Sequence, residues 1–411
     1  MNRFIQKIRS SGPAAIITSA FIGPGTIIVS TNIGVNFGYK LIWATIFAVI
    51  ALMMLMEMTS RIAIVSKGDL IEAFINMFAD NPIWKTFIRV LMLGVILIVC
   101  FAFETGNFTG GGLGLSTILG INNSYVIIAM TIVVLVITLL GSSKTLEVIM
   151  KGFVGVMGTI FIVTLIFIKP PIKEIVKGVI PNLPNGSYIS TLALIGTTLI
   201  GVNLIFHSIT SKNKWSTVEE LTEARWDILF NISIGGLITL SIVIISATIL
   251  NGTIIKGNPA LAFTQSLEPI LGKYASVFGN LGLFAAGLSS AIATPYILKC
   301  LVSTIFKFEG KVEERRSKIL ATVVIIFGAF LAIIGKNPQE IIILAQATSG
   351  LSLPIITILI LIVANNKKLL GEHVNNSIQN IIGILVVILT LLLGYNGIVQ
   401  GISNFIKILN G

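Results

Sequence analysis

The stretch Ile22-Gly23-Pro24-Gly25-Thr26 interrupts an apolar run that otherwise extends from Pro13 to Phe37. A proline inside a helix removes a backbone donor and costs about 3 kcal/mol. Lipid cannot solvate the freed backbone groups, so such a break persists only where it faces protein or a water-filled cavity. A second interruption, residues 196–201 (GTTLIG), lies in the second half of the chain. Paired interruptions at corresponding places in two halves are typical of the substrate site of a secondary transporter.

The composition places the chain in a membrane. Hydrophobic residues make up 55% and charged residues 11% of the chain, and the mean hydropathy is +0.98, whereas soluble domains carry about 25% charged residues. Apolar runs of about 20 residues cross a bilayer. The sequence predicts an all-α polytopic membrane protein with these spans: Pro13–Asn36, Leu41–Val65, Val90–Leu119, Tyr125–Gly141, Val148–Ile168, Ser190–Ile209, Ile228–Leu250, Tyr274–Ile305, Ile319–Gly335, Glu340–Ala364 and Ile378–Gly397.

The basic residues orient these eleven spans. Most of the 28 Lys and Arg residues fall in loops on the same side as the N-terminus. Cytoplasmic loops carry an excess of Lys and Arg. The sequence therefore predicts a cytoplasmic N-terminus, an external C-terminus and a multi-pass protein of the plasma membrane. The first span is interpreted as a retained helix and not as a cleaved signal peptide.

Several motifs resemble the Nramp family of divalent-metal transporters. Residues 23–26 and 37–43 (FGYKLIW) resemble the first-helix signature of that family, DPGN followed by FGY-x-L-x-W. Further similarity lies at residues 56–61 (MEMTSR), 196–208 (GTTLIGVNLIFHS), 284–290 (FAAGLSS) and 345–354, which resemble its second, sixth, eighth and tenth helices. The resemblance implies one transporter domain over residues 1–411 with a LeuT-like inverted repeat. Its two five-helix units would be residues 13–168 and 190–364, with helices 1 and 6 broken and an eleventh helix at 378–397.

The resemblance also identifies where a metal would be held. Family members use the Asp and Asn of DPGN, a backbone carbonyl of the sixth helix and the Met of MPHN. In this chain Gly23 is at the Asp position and Thr26 is at the Asn position. Thr197 is at the carbonyl position, and Ile200, followed by Gly201, is at the Met position. A thioether favours soft or borderline metals, and a carboxylate offsets a divalent charge. The loss of all three ligand side chains argues against a transition-metal site, and the sequence predicts no other metal ligands.

The residues around the breaks predict their own binding chemistry. Hydroxyls and amides are available from Thr26, Thr197 and Asn203, and from Gln346 in the tenth span, which packs near the site in this fold. Helix N-termini supply free N–H groups and partial positive charge, and unwound carbonyls supply the opposite polarity. This environment favours a neutral or anionic solute, or a cation that keeps its water. In the alternative interpretation, the hydroxyls only bond their own helix backbones.

Two further polar residues lie in apolar surroundings. A carboxylate at a span centre costs about 2.5–3.5 kcal/mol on insertion scales, so Glu104 is a candidate proton carrier; it aligns with the Glu of the family's DLAE stretch. The alternative is a structural Glu bonded to Asn107. His207 lies beyond the second break and is either a proton relay or a core histidine bonded to a carbonyl. Glu57 and Arg61 have the spacing of a helical ion pair.

The predicted function is an Nramp-related secondary transporter that works by alternating access. A divalent metal is the substrate that the family implies. The alternatives are a proton- or ion-coupled transporter of a small organic or anionic solute, and a transporter of a monovalent ion. A non-transporting sensor is a further alternative, against which the presence of both breaks argues. HExxH, GxSxG and P-loop motifs are absent, so no catalytic residues, enzyme activity or cofactor are predicted. The predicted partners are the solute or ion, the bilayer and protons, without nucleic acid, and the protein is expected to be a monomer.

Overall fold

The computed structural model describes residues 12–77, 82–141, 143–252, 259–306, 311–335 and 338–410, and within these ranges it contains helices and no strand. The helices are α1 (Pro13–Phe21), α2 (Pro24–Phe37), α3 (Ile42–Ser66), α4 (Leu70–Asn76), α5 (Pro82–Leu119), α6 (Asn123–Leu140), α7 (Ser143–Ile168), α8 (Ile172–Gly178), α9 (Tyr188–Thr198), α10 (Gly201–Lys214), α11 (Leu221–Leu250), α12 (Pro259–Ser266), α13 (Glu268–Leu271), α14 (Ala275–Phe306), α15 (Lys311–Ile334), α16 (Pro338–Ala364), α17 (Lys367–Leu370) and α18 (Ser377–Asn410).

Each of the eleven predicted spans coincides with a long helix or with a broken pair of helices. By length and composition, 7 helical stretches within the described ranges can cross a membrane, or 8 if the bent pair Leu353–Ala364 and Lys367–His373 is one span. The all-α polytopic fold is thereby confirmed. Some helices are longer than predicted: α5 begins at Pro82 and not at Val90, and its first turns place apolar side chains on the outer surface.

Both predicted interruptions are breaks in the helices. Between α1 and α2 the backbone leaves the helical region at Ile22 (φ −81°, ψ 66°) and Gly23 (φ −101°, ψ −179°). Pro24 then occupies the first position of α2, where its missing N–H leaves no helical bond unmade. Between α9 and α10 the non-helical residues are Leu199 (φ −88°, ψ 86°) and Ile200 (φ −102°, ψ 112°). Each break therefore leaves two half-helices whose ends meet inside the bundle.

Glycines let the helices approach one another closely around these breaks. A Cβ built on Gly287 of α14 would lie 2.4 Å from the Cα of Gly111 in α5. A Cβ on Gly34 of α2 would lie 2.6 Å from the carbonyl oxygen of Val243 in α11. Small residues at such interfaces allow backbone-to-backbone packing in membranes. The packing of α14 on α5 and of α11 on α2 fixes the position of the first break.

Ion pairs join the helices on the face that is predicted to be cytoplasmic. The helical pair predicted in α3 is confirmed, since the Arg61 guanidinium lies 3.3 Å from the Glu57 carboxylate. Glu57 also accepts a bond from Arg225 at 2.8 Å. Arg61 donates to the carbonyl of His373 and to Asn375 Oδ1. These contacts tie α3 to the start of α11 and to the segment that connects α17 with α18.

Asp69 caps α4 on the same face. Its Oδ1 accepts the N–H of Ile71 at 2.9 Å and that of Glu72 at 3.0 Å. The side chain is 1% exposed. Burial raises the pKa of the carboxyl to about 6, and the hydrogen bond from the Glu72 backbone lowers this pKa by a smaller amount. Because this pKa is higher in the folded protein, the carboxyl favours folding at low pH. That contribution is lost as the pH rises through about 6.

We expect Asp69→Asn to remove this pH dependence, because asparagine keeps the capping acceptor without the charge. The melting temperature of the wild type relative to the variant should rise as the pH falls from 8 to 5, measured by thermal unfolding in detergent. Glu174→Gln, which removes a half-exposed carboxylate, is the control and should leave the profile unchanged. A constant difference between wild type and Asp69→Asn across this range would contradict the prediction.

Candidate functional site

At the first break, Gly23, which the resemblance aligns with the Asp of DPGN, faces a hydroxyl and an amide. A Cβ built on Gly23 would lie 3.1 Å from Ser290 Oγ and 3.6 Å from Asn107 Oδ1. The amide nitrogen of Asn107 donates to Thr294 Oγ1 at 3.3 Å, and Thr294 donates to the Ser290 carbonyl at 3.0 Å. Asn107, Ser290 and Thr294 thus form a neutral polar group beside the break, which we call the neutral cluster.

The threonine hydroxyls at the breaks bond the helix backbones. Thr26 Oγ1 donates to the carbonyl oxygen of Phe21 at 2.5 Å and so bridges the first break. Thr197 Oγ1 donates to the Leu194 carbonyl at 2.9 Å within α9. These contacts match the alternative in which the hydroxyls satisfy their own helices. Only the lone pairs of the two hydroxyl oxygens are left for a ligand.

A small cavity of about 20 Å³ lies at the second break. Its lining comes from α1, α5, the second break with α10, and α14: Ala20, Val99, Cys100, Phe103, Ile200, Val202, Asn203, Thr294 and Ile297. The amide nitrogen of Asn203 is buried there and has no hydrogen-bond partner, which is costly for a buried donor. Thr294 joins this cavity to the neutral cluster. The cavity holds about one water molecule, so a larger substrate requires the helices to move.

Gln346 of α16 lies across the first break. Its side-chain amide occupies the space that a Cβ on Gly25 would need. The amide oxygen Oε1 is buried without a hydrogen-bond partner. Because Gly25 has no side chain, the α16 amide reaches the backbone of α2. The prediction that Gln346 lies near the breaks agrees with this placement.

Glu104 lies one helical turn from both Cys100 and Asn107 on α5. It is fully buried in α5 and packs on α15, where a Cβ on Gly328 would lie 2.8 Å from Glu104 Cγ. Neither carboxyl oxygen has a hydrogen-bond partner. A charged carboxylate is very costly without a partner in such a place. Glu104 thus contacts α15 on the part of α5 that also carries Cys100, which lines the cavity, and Asn107 of the neutral cluster.

His207 lies between α10 and α3, beyond the second break. Its Nδ1 is 3.2 Å from Thr59 Oγ1 and 3.4 Å from Ser60 Oγ. Thr59 already donates to the Met56 carbonyl, so a proton on Nδ1 would be donated to the hydroxyl oxygen. Nε2 is buried without a partner. The ring thus contacts two hydroxyls, and the backbone of Met56 also interacts with it, as the alternative of a histidine bonded to a carbonyl predicts.

The structure brings together part of the predicted set. Gly23 adjoins the neutral cluster, Ile200 and Asn203 line the cavity that shares Thr294 with it, and Gln346 covers the first break. Gly201 begins α10 directly beside that cavity. Sequence reasoning missed the roles of Ser290 and Thr294, whose spacing of four places both on one face of α14. Among the described residues, no group of three or more His, Cys, Asp or Glu side chains can hold a metal.

Comparison with known proteins gives a consistent result. The sequence model of the family described as "Natural resistance-associated macrophage protein-like" matches residues 14–400. The chain is 25% identical over 400 residues to the "Divalent metal cation transporter MntH" of Yersinia pestis (strain Pestoides F), with 94% of each chain covered.

Solved structures share the fold. The Eremococcus coleocola manganese transporter superposes with a TM-score of 0.81 at 18% identity, which covers 98% of this chain and 88% of that one. MhsT in complex with L-phenylalanine superposes with a TM-score of 0.61 at 15% identity, which covers 96% of this chain and 98% of that one. The chain therefore has the LeuT-like fold with inverted repeats.

Proposed function

Because the chain belongs to the Nramp family, we propose that it is a secondary transporter that carries a divalent cation with part of its hydration shell. The substrate site is the region between the two breaks, bounded by the neutral cluster, Asn203 and Gln346. Transport proceeds by alternating access between the repeats at 13–168 and 190–364. The relatives' name as divalent metal cation transporters supports the class of substrate.

The observation that carries this proposal is the neutral cluster beside Gly23. Amide and hydroxyl oxygens suit hard cations, whereas thioether and imidazole ligands suit softer ones. Mg²⁺ keeps several waters when it binds protein. A site with neutral oxygens and no carboxylate can hold such an ion through its waters. We therefore propose a preference for Mg²⁺ over Mn²⁺.

Alternating access is supported by the burial of both breaks. Thr26 and Thr197 are each 1% exposed, and the cavity between the breaks holds about one water. The contacts of Glu57 and Arg61 close the face that we propose to be cytoplasmic. A hydrated ion can enter only after these half-helices separate from their neighbours. We also propose that Glu104 and His207 carry the coupling proton, in a monomer of the plasma membrane.

We expect Asn203→Leu to lower ion uptake by about tenfold, because the substitution removes the unpaired amide from the cavity. The measurement is uptake of Mg²⁺ and Mn²⁺ into proteoliposomes with internal pH recorded in the same vesicles. Asn280→Leu is the matched control, since Asn280 is also a buried amide, and its nitrogen donates to Ser276 Oγ within α14. A tenfold change in affinity corresponds to about 1.4 kcal/mol.

Equal loss of uptake in both variants would place the effect in folding and contradict the assignment of the site. Saturable Mg²⁺ uptake that falls only with Asn203→Leu supports it. Absence of uptake of both ions by the folded wild-type protein would overturn the divalent-cation proposal.

A second candidate function is favoured by the Asn203 amide itself. Its unpaired nitrogen is a hydrogen-bond donor, which suits an anionic or neutral oxygen-bearing solute better than a cation. Helix N-termini at both breaks add partial positive charge. An ion-coupled transporter of a small organic or anionic solute would use these donors directly. Uptake of such a solute, without uptake of divalent ions, would decide for this candidate.

A further inference from the structure

A second polar cavity lies at the end of the bundle that is predicted to be cytoplasmic. It has a volume of about 80 Å³ and is lined by α4, the first turns of α5 and the last turn of α14, through Ile71, Glu72, Ile75, Asn76, Lys85, Arg89, Thr304 and Ile305. Lys85 and Arg89 are four residues apart and therefore share one face of α5. Lys85 and Arg89 lie at neither helix break and do not adjoin the neutral cluster. The cavity is therefore separate from the proposed substrate site.

The charges of this cavity are unbalanced. Among the described residues of its lining, Glu72 is the only carboxylate, and Glu72 pairs with Lys212 of α10. In the part of the chain that the structure describes, no carboxylate lies within ion-pair distance of Lys85 or Arg89. The Nε of Arg89 is buried and makes no hydrogen bond. A buried guanidinium N–H without an acceptor is costly, so the cavity is prepared for an anion.

The opposite face of the same turns is apolar and lies on the outer surface. Trp84 is 51% exposed and Phe87 is 54% exposed. Their rings stack edge to face with centroids 5.6 Å apart. Ile83 and Val90 continue the exposed apolar face. Tryptophan is enriched where a membrane meets water, so these turns of α5 lie at the level of the lipid headgroups.

We propose that this cavity binds the phosphate of an anionic phospholipid, whose acyl chains lie along Trp84 and Phe87. Arginine recognises phosphate through paired N–H donors, and lysine adds a point charge. Basic pockets between membrane helices are known to hold lipid headgroups. The apolar face beside the cavity distinguishes a lipid from a free phosphate, since only the lipid fills both. The proposal does not depend on which substrate the protein transports.

The lipid also has a structural consequence. Glu72 lines the cavity from α4 and pairs with Lys212 near the end of α10, which is the second half of a broken span. A headgroup bound between α4, α5 and α14 holds these helices together. Occupancy of the site therefore stabilises the face that the ion pairs of Arg61 already close.

The test uses the full chain in detergent, with melting temperature and native mass spectrometry as two readouts. Added phosphatidylglycerol should raise the melting temperature of the wild type by several degrees more than phosphatidylcholine does. Lys85→Gln with Arg89→Gln should remove at least half of that difference and reduce the number of bound phosphatidylglycerol molecules. Lys367→Gln with Lys368→Gln removes the same charge from α17, on the face that is predicted to be cytoplasmic, and should keep the full effect.

Arg89→Lys keeps the charge and should retain part of the phosphatidylglycerol binding. This variant keeps the proposal testable if the Lys85 and Arg89 variant fails to fold. The proposal is overturned if the Lys85 and Arg89 variant keeps the full phosphatidylglycerol effect, or if the control pair loses it equally. It is also overturned if inorganic phosphate stabilises the wild type as much as phosphatidylglycerol does, because the ligand would then be a free anion.

Discussion

Gly23→Asp combined with Ile200→Met should raise the affinity for Mn²⁺ by about tenfold or more, which corresponds to about 1.4 kcal/mol or more. The aspartate would place a carboxylate beside the first break, and the methionine would supply a thioether at the second, where softer metals gain most. A Cβ on Gly23 lies 3.1 Å from Ser290 Oγ, so this hydroxyl must shift by a few tenths of an ångström. Mn²⁺ binding to the purified protein, by calorimetry, is the measurement.

The matched control is Gly23→Asn with Ile200→Met, which has the same shape without the charge. If charge is responsible, the asparagine variant should bind Mn²⁺ much more weakly than the aspartate variant. Equal affinity in both variants would show that the carboxylate is not a ligand. No Mn²⁺ binding by the folded aspartate variant would mean that the metal does not lie between the two breaks.

Gly287→Ala should destabilise the protein strongly, although alanine is the better helix former by about 1 kcal/mol. The added methyl would lie 2.4 Å from Gly111 Cα and 2.6 Å from Gly111 N, and both are backbone atoms that no side-chain rotation can move. The two helices must therefore separate. Overpacking of this kind typically costs about 1–3 kcal/mol. We expect a melting temperature several degrees lower in detergent.

Gly282→Ala is the control in the same helix. A Cβ on Gly282 meets no atom within 4 Å, so the substitution should leave the melting temperature unchanged or raise it. A similar loss of stability in both variants would mean that the close approach of α14 to α5 is not what makes Gly287 necessary. Because α14 and α5 carry the neutral cluster, uptake should fall together with stability in Gly287→Ala.

The spans and both breaks could be predicted because they depend on local chemistry. A run of apolar residues long enough to cross lipid becomes a helix wherever it lies. Pro24 separates α1 from α2 through its own backbone geometry and not through contacts with distant residues. The ion pair of Glu57 with Arg61 is likewise set by spacing within one helix. Its further contacts with Arg225 of α11 and with Asn375, in the segment before α18, depend on the tertiary structure and were not predicted.

The candidate site could be predicted only in part. Gly23, Ile200 and Asn203 were named because they lie in or next to the breaks, and the structure places them at one region. Glu104 was named because it is a carboxylate in an apolar span, and its contact with Gly328 of α15 could not be predicted from the sequence. The face of a helix that a residue occupies relative to its neighbours depends on packing, which a linear pattern does not contain.

The sequence by itself determined the membrane class, the positions of the helices and the two breaks. The tertiary structure alone decided what surrounds the first break: Asn107, Ser290 and Thr294 come from α5 and α14 and lie beside Gly23. The tertiary structure also decided that Lys85 and Arg89 face a cavity while Trp84 and Phe87 face outward. The physical reason is that local propensity depends on neighbours along the chain, whereas a binding environment depends on which side chains separate helices bring into contact.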